Sequence, residues 1–191
     1  MSAEQHSVIP TDPSDFACID FINSTFSDYL GSGESTDRLQ SPQWLQWFLE
    51  RYELVPDSSG APPFAELVAL RRDARRVLDK WSRDLALSGR DLRLLDERLR
   101  AAPLRMRVAQ TSSALDLYEE PLELSWQWVL ASITASVIEL QRDGDPARFR
   151  TCENPDCSWV FYDTTLNRSR RFCSTTPCAS LIRVRRYRER H

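Results

Sequence analysis

Four of the five cysteines lie in the last 40 residues, and their spacing limits what this part of the chain can be. Cys152 and Cys157 form one pair and Cys173 and Cys178 a second, with four residues inside each pair and 15 between the pairs. Two such pairs can place four thiolates tetrahedrally around a zinc ion. Since a four-cysteine shell leaves no position for a substrate water, we expect one structural Zn²⁺.

Two disulfides are the alternative use of these cysteines. The first 11 residues have neither the basic start nor the apolar stretch of a secretory signal, which favours a reducing, cytoplasmic location and hence the metal. No run of 18 apolar residues occurs, so we expect no membrane span.

The residues around the cysteines predict a small folded unit. Residues 159–162 are aromatic and β-branched and predict a strand, with residues 170–172 as its returning partner. A helix is predicted from about Pro177 to Arg188, capped by Thr176, with Leu181, Val184 and Tyr187 facing inward. A loop, a hairpin and a helix in this order are typical of a treble-clef-like zinc finger, whose folding depends on its metal.

The charges divide unevenly along the chain. The formal net charge of −3 argues against a nucleic-acid partner, but residues 1–146 hold 15 basic and 24 acidic side chains, whereas residues 147–191 hold ten arginines and four carboxylates. A basic segment of this density predicts DNA or another anionic partner, and the planar guanidinium pairs well with phosphates and guanine edges. The candidate DNA-contacting residues are Arg168, Arg170, Arg171, Arg183, Arg185, Arg186, Arg188 and Arg190.

The periodicity of residues 1–146 is mostly helical. Five helices are expected. The first runs from Asp12 to Phe26, and the second begins at Ser41-Pro42. The third has its apolar stripe from Leu67 to Leu85 and ends at Gly89, the fourth is capped by Asp91, and the fifth runs from about Pro121 to Arg142. Residues 104–108 and 114–118 alternate and predict one β-hairpin. The expected fold is therefore mainly α: a helical N-terminal domain (1–146) with a small β-hairpin, followed by the zinc finger (147–191).

The helical domain offers little chemistry. Asp20 and Asn23 interrupt an apolar helix and, with Trp126, could line a pocket for a small-molecule effector, although buried polar groups usually have structural partners. The two histidines, His6 and His191, lie near the termini, and no nucleophile is paired with a base. We expect a protein that is not an enzyme, with a small-molecule-binding or enzymatic helical domain as one alternative.

The residues between the cysteine pairs carry a family resemblance. Trp159-x-Phe161-x-Asp163 and Asn167-Arg-Ser-Arg-Arg-Phe-Cys173 resemble the CGNR zinc finger, and residues 16–25 (Phe-Ala-Cys-Ile-Asp-Phe-Ile-Asn-Ser-Thr) resemble the opening of the ABATE domain that precedes it. The resemblance implies zinc on the four clustered cysteines and a stress-linked bacterial transcription regulator. After Cys178 this chain has Ala179-Ser180-Leu181 where the family has Gly-Asn-Arg.

Two functions compete for the finger. In the first, it binds DNA and the helical domain senses a ligand or partner, with a homodimer as a further expectation. In the second, the basic finger docks on an acidic protein surface. Carboxylates bonded to Arg183, Arg186 and Arg190 would favour the second function, and the same arginines unpaired on one exposed face would favour the first.

Overall fold

The computed structural model describes residue 10 and residues 13–28, 32–57 and 60–190, without the side chains of Thr175 and Thr176. The predicted caps at Asp12 and Thr176 and the histidines His6 and His191 fall outside these described parts. Within them the mainly helical fold with small antiparallel strand pairs is confirmed. No helix in the described ranges is long and apolar enough to cross a membrane.

Among the described residues up to Asp143, the first part of the chain contains five α-helices and two strand pairs. The helices are α1 (Ala17–Ile22), α2 (Pro42–Arg51), α3 (Phe64–Trp81), α4 (Gly89–Arg100) and α5 (Trp126–Asp143). Strand β1 (Thr25–Ser27) pairs with β2 (Ser35–Asp37), and β3 (Leu104–Gln110) pairs with β4 (Leu115–Pro121), both antiparallel. The predicted hairpin at residues 104–118 is confirmed, and β1–β2 is an addition.

The first helix ends earlier than its apolar spacing predicts. Phe26, expected on α1, lies in β1, where it is opposite Thr36. The amide of Arg38 donates to the Ser24 carbonyl at 2.8 Å, so the chain after α1 is held by strand-like bonds rather than by a further helical turn.

Helices α2 and α5 begin at serine caps. The Ser41 hydroxyl accepts from the Trp44 amide at 3.3 Å and Pro42 follows as the first helical residue, as predicted. The predicted start of α5 near Pro121 is wrong, because Pro121 ends β4 and the Ser125 hydroxyl caps the helix through the Trp128 amide.

The boundary between α3 and α4 also differs from the prediction. Gly89 does not end α3 but begins α4, and the cap is Ser88, whose hydroxyl accepts from the Asp91 amide at 3.2 Å. Helix α3 ends at Trp81, and Asp84 adopts the left-handed conformation (φ 56°) that usually selects glycine. The Leu85 amide then donates to the Lys80 carbonyl and closes the turn.

The last 45 residues contain a second, smaller arrangement. Strand β5 (Phe149–Thr151) pairs antiparallel with β6 (Val160–Tyr162), and α6 (Ser180–Arg188) follows a π-helical turn at Thr175–Ala179. The predicted pairing of residues 159–162 with 170–172 is wrong. The Arg170 amide instead donates to the Asp163 carboxylate at 2.9 Å, so a side chain fixes the returning segment.

The hydrophobic core joins both parts of the chain. One cluster of buried side chains gathers α2, α3 and α5 around Trp44, Phe48 and Ile133. A second cluster contains Cys18, Val77 and Val137 of the helices together with Phe149 of β5 and Val160 of β6. The strands of the finger are therefore packed into the core of the helical part.

Candidate metal centre and basic helix

The four clustered cysteines converge on one point. Cys152 and Cys157 lie in the connection between β5 and β6, and Cys173 and Cys178 precede α6. Their Sγ atoms all lie within 4.8 Å of one another, with Cys157–Cys173 at 3.8 Å and Cys173–Cys178 at 3.7 Å. Four sulfurs bound to zinc at 2.3 Å in a tetrahedron are about 3.8 Å apart. The donor set and spacing therefore fit a tetrahedral four-thiolate metal site.

The surroundings of the sulfurs favour thiolates. The Cys173 amide donates to the Cys152 Sγ at 3.4 Å, and the Asn154 side-chain amide donates to the Cys178 Sγ at 3.6 Å. Asn154 is fully buried and its contact orients a metal ligand, a role that the sequence alone did not predict.

Asp163 fixes the segment that brings the second cysteine pair back to the first. Its fully buried carboxylate accepts from the Thr165 amide and from the Arg170 amide, both at 2.9 Å. Burial alone would raise the pKa of Asp163, but the bonds from Thr165 and from the Arg170 amide lower it below the usual value. Asp163 therefore stays ionised and holds the loop over residues 163–170.

Four of the eight candidate DNA-contacting arginines have partners within the protein. Arg168 pairs with Asp145 at 2.9 Å, Arg171 with Glu153 at 2.7 Å and Arg185 with Asp156 at 2.6 Å. Arg170 lies over the Phe161 ring and donates to the carbonyls of Phe172 and Cys173, so its guanidinium supports the metal loop.

The other four arginines lie on α6 or just beyond its end. The side chains of Arg183, Arg186, Arg188 and Arg190 are exposed and form no ion pair or hydrogen bond with any described residue. The pKa of Glu153 is lowered mainly by Arg171, and the more distant positive charge of Arg186 lowers it further. Because Arg183, Arg186 and Arg190 are three and four residues apart, they share one face of the helix.

The buried face of α6 differs from the predicted one. Ile182 is the buried apolar residue, whereas Val184 and Tyr187 of the predicted stripe are exposed. The π-helical turn before α6 contains one more residue per turn than an α-helix, which rotates every later side chain by about 100°. Arg183, Arg186 and Arg190 nevertheless remain exposed.

The finger is bonded to the helical part along β6. The Trp159 indole donates to the Thr25 carbonyl at 2.8 Å, and Arg75 of α3 donates to the Ser158 carbonyl at 2.9 Å. The guanidinium of Arg38 lies against the rings of both Phe26 and Trp159, at 5.1 and 4.9 Å from their centroids, and the two rings contact each other edge to face.

The three residues of the predicted ligand pocket have separate partners. Asp20 accepts from the Tyr52 hydroxyl at 2.7 Å, Asn23 is bonded to the backbone of Val160, and the Trp126 indole donates to the Gly60 carbonyl at 3.3 Å. These bonds satisfy the polar groups without a ligand, and the pocket stays a prediction.

The fold and site define a class: a small metal-binding finger with a basic helix, built onto a helical body. Residues 148–191 match the model of the CGNR zinc finger, and residues 15–144 match the ABATE model, described as "Putative stress-induced transcription regulator". The chain belongs to the ABATE family and carries a CGNR-type zinc finger at its end. No curated protein matches the sequence.

Proposed function

We propose that this protein is a zinc-dependent transcription regulator that contacts DNA through the exposed arginine face of α6. The observation that carries the proposal is the state of Arg183, Arg186 and Arg190. They share one face, they are exposed, and no described carboxylate is bonded to them. An arginine face that forms no direct ion pair with a described carboxylate is suited to phosphate oxygens and to guanine edges.

The metal supports this role by fixing the start of the helix. Cys178 lies two residues before α6, so a zinc ion on the four thiolates would hold α6 against the β5–β6 hairpin. A hairpin loop with two ligands and a helix start with the other two correspond to the treble-clef arrangement, which we propose for this finger. The zinc itself would supply structural support, since its four thiolates leave no open position.

The internal ion pairs narrow the DNA-contacting set. Arg168, Arg171 and Arg185 would have to exchange a carboxylate for a phosphate, and Arg170 is used by the metal loop. We therefore assign most of the DNA affinity to α6. Ala179-Ser180-Leu181 replaces the family's Gly-Asn-Arg at the start of this helix, which removes one arginine and one amide from the possible base contacts.

The helical domain, residues 1–146, is proposed to sense a ligand or partner and to act through its contact with the finger. Phe149 and Val160 share a core with α1, α3 and α5, so a change in the packing of these helices would move β6. We propose a cytoplasmic binding protein rather than an enzyme, because no nucleophile and base are paired among the residues singled out above.

An unbiased selection of binding sites tests the proposal. Zinc-loaded protein and the variant Arg183→Ala/Arg186→Ala are each incubated with random duplex DNA, and the retained DNA is sequenced. Arg100→Ala/Arg142→Ala removes two exposed arginines of the helical body and serves as the charge-matched control. We expect an enriched motif with the wild type and the control, and none with the α6 variant. Failure of the wild type to retain DNA at low salt would favour the alternative, a finger that docks on an acidic protein.

A further inference from the structure

The β3–β4 ribbon extends from the body without a cover. Its seven residue pairs run from Leu104–Pro121 to Gln110–Leu115, and nearly every residue of both strands is exposed within the described chain. A two-stranded ribbon is only marginally stable in water unless one of its faces is packed.

The two faces of the ribbon differ in chemistry. Directly paired residues project to the same side, so Arg105, Arg107, Tyr118 and Glu120 share one face, where Glu120 binds both arginines. The opposite face is mainly apolar, and its polar members are Gln110 and Glu119. Its main side chains are between 50% and 76% exposed: Leu104, Met106, Val108, Leu115 and Leu117.

We propose that this apolar face is a dimer interface and that its partner is the same face of a second copy of the chain. The five side chains present on the order of 600 Å² of contiguous apolar surface, the size of patch that marks an interaction site. Two copies stacked face to face would bury roughly 1,200 Å², the lower limit for a stable protein interface. In a two-fold symmetric dimer the same patch of each chain binds the other, so one interface covers the apolar faces of both ribbons.

The charges of the strands favour stacking over pairing along their edges. Strand β3 carries Arg105 and Arg107, whereas β4 carries Asp116, Glu119 and Glu120. Edge pairing of β3 with β3, or of β4 with β4, would bring like charges together. A two-fold axis parallel to the strands instead places each β3 over the partner's β4 and leaves Arg105, Arg107 and Glu120 on the outer faces, in solvent.

Dimerisation goes beyond the proposed DNA contact and can fail independently of it. A symmetric dimer would carry two copies of α6, and such regulators bind two half-sites whose spacing the dimer sets. The ribbon and α6 are separate elements, so one can be altered while the other is kept.

Sedimentation equilibrium of the full-length, zinc-loaded protein tests the interface. The variant Val108→Thr/Leu117→Thr removes apolar surface from this face, at directly opposed positions where a Thr–Thr pair keeps the ribbon paired. Ala109→Thr/Asp116→Thr places the same pair at the neighbouring register on the other face and is the matched control.

The expected wild-type mass is twice 22.1 kDa at micromolar concentration. The apolar-face variant should dissociate about 100-fold more readily while keeping the circular dichroism and zinc content of the wild type. The control should remain a dimer. A wild type that stays monomeric across the concentration range, or a dimer that survives the apolar-face variant, would overturn the proposal, whether or not either protein binds DNA.

Discussion

The side chain of Asn23 binds both backbone groups of Val160. Its Nδ2 donates to the Val160 carbonyl at 2.8 Å, and its Oδ1 accepts from the Val160 amide at 2.9 Å. Asn23, which directly follows α1, thus binds the outer edge of β6. The two bonded residues are 137 positions apart in the sequence. The metal finger is consequently not a separate module on a linker, and its stability is coupled to that of the helical body.

Asn23→Ala should therefore destabilise the whole protein. The change leaves the Val160 amide and carbonyl buried without partners, which costs about 3 kcal/mol. Urea unfolding at pH 7 measures the loss, and the exposed Asn167→Ala is the control, expected to change the free energy of unfolding by less than about 0.5 kcal/mol. If the two variants are equally stable, the coupling between body and finger is not as described.

Removal of the metal should lower the melting temperature of the body as well as of the finger. Phe149 and Val160 lie in the shared core, so a finger that unfolds without zinc exposes the core of the helices. We expect one zinc per chain by elemental analysis, and a fall of about 10 °C or more in the helical melting transition after chelation or in Cys152→Ser. An unchanged transition after complete loss of zinc would show that the two parts fold independently.

The fifth cysteine should behave differently from the four ligands. Burial raises the pKa of the Cys18 thiol to about 12, so the reactive thiolate is scarce at pH 8. In the native zinc-loaded protein a thiol reagent should label none of the five cysteines. Chelation should release the four clustered thiols at once, whereas Cys18 should react much more slowly, and completely only after denaturant is added. Labelling of Cys18 in the native protein would contradict its placement in the core.

Asp91 should make the protein sensitive to acid. Hydrogen bonds from Lys80 first, and from Ser88, hold the pKa of Asp91 well below its usual value. A lowered folded-state pKa contributes stability above the unfolded pKa of about 3.9, and this contribution is lost as the pH falls further.

Asp91→Asn should therefore cost about 2 kcal/mol at pH 7, and the difference from wild type should shrink between pH 4 and pH 2. Urea unfolding at several pH values measures it. The exposed Asp96→Asn is the control, expected to cost little at any of these pH values. A difference for Asp91→Asn that stays constant with pH would exclude the ion-paired role.

The sequence was most informative where a single local signal determines the structure. Ser41-Pro42 predicted the start of α2, and the alternating residues after Leu104 predicted the ribbon. The cysteine spacing predicted a cluster whose sulfurs the structure brings within 4.8 Å of one another. Each of these features depends on neighbouring residues or on a repeated spacing.

The errors arose where a distant contact or an unusual backbone replaced the common signal. After the end of α3, Asp84 adopts the left-handed conformation that glycine usually takes. The prediction therefore assigned Gly89 to the end of α3, whereas Gly89 begins α4. Strand β6 pairs with β5 and not with residues 170–172. The Arg170 amide donates to the Asp163 carboxylate, so a side chain takes the place of a strand partner there. The buried residue of α6 is Ile182 rather than the predicted stripe, and the π-helical turn before the helix is not predicted by periodicity alone.

The most direct test of the central claim is the salt dependence of DNA binding by the zinc-loaded protein. Fluorescence anisotropy gives the slope of log affinity against log salt for wild type and for Arg183→Ala/Arg186→Ala/Arg190→Ala. If these three arginines each neutralise a phosphate, the variant should bind more weakly and its slope should be smaller in magnitude by about 2.7. An identical slope and affinity for the two proteins, or no binding by the wild type at low salt, would contradict the assignment of α6 as the DNA-binding face.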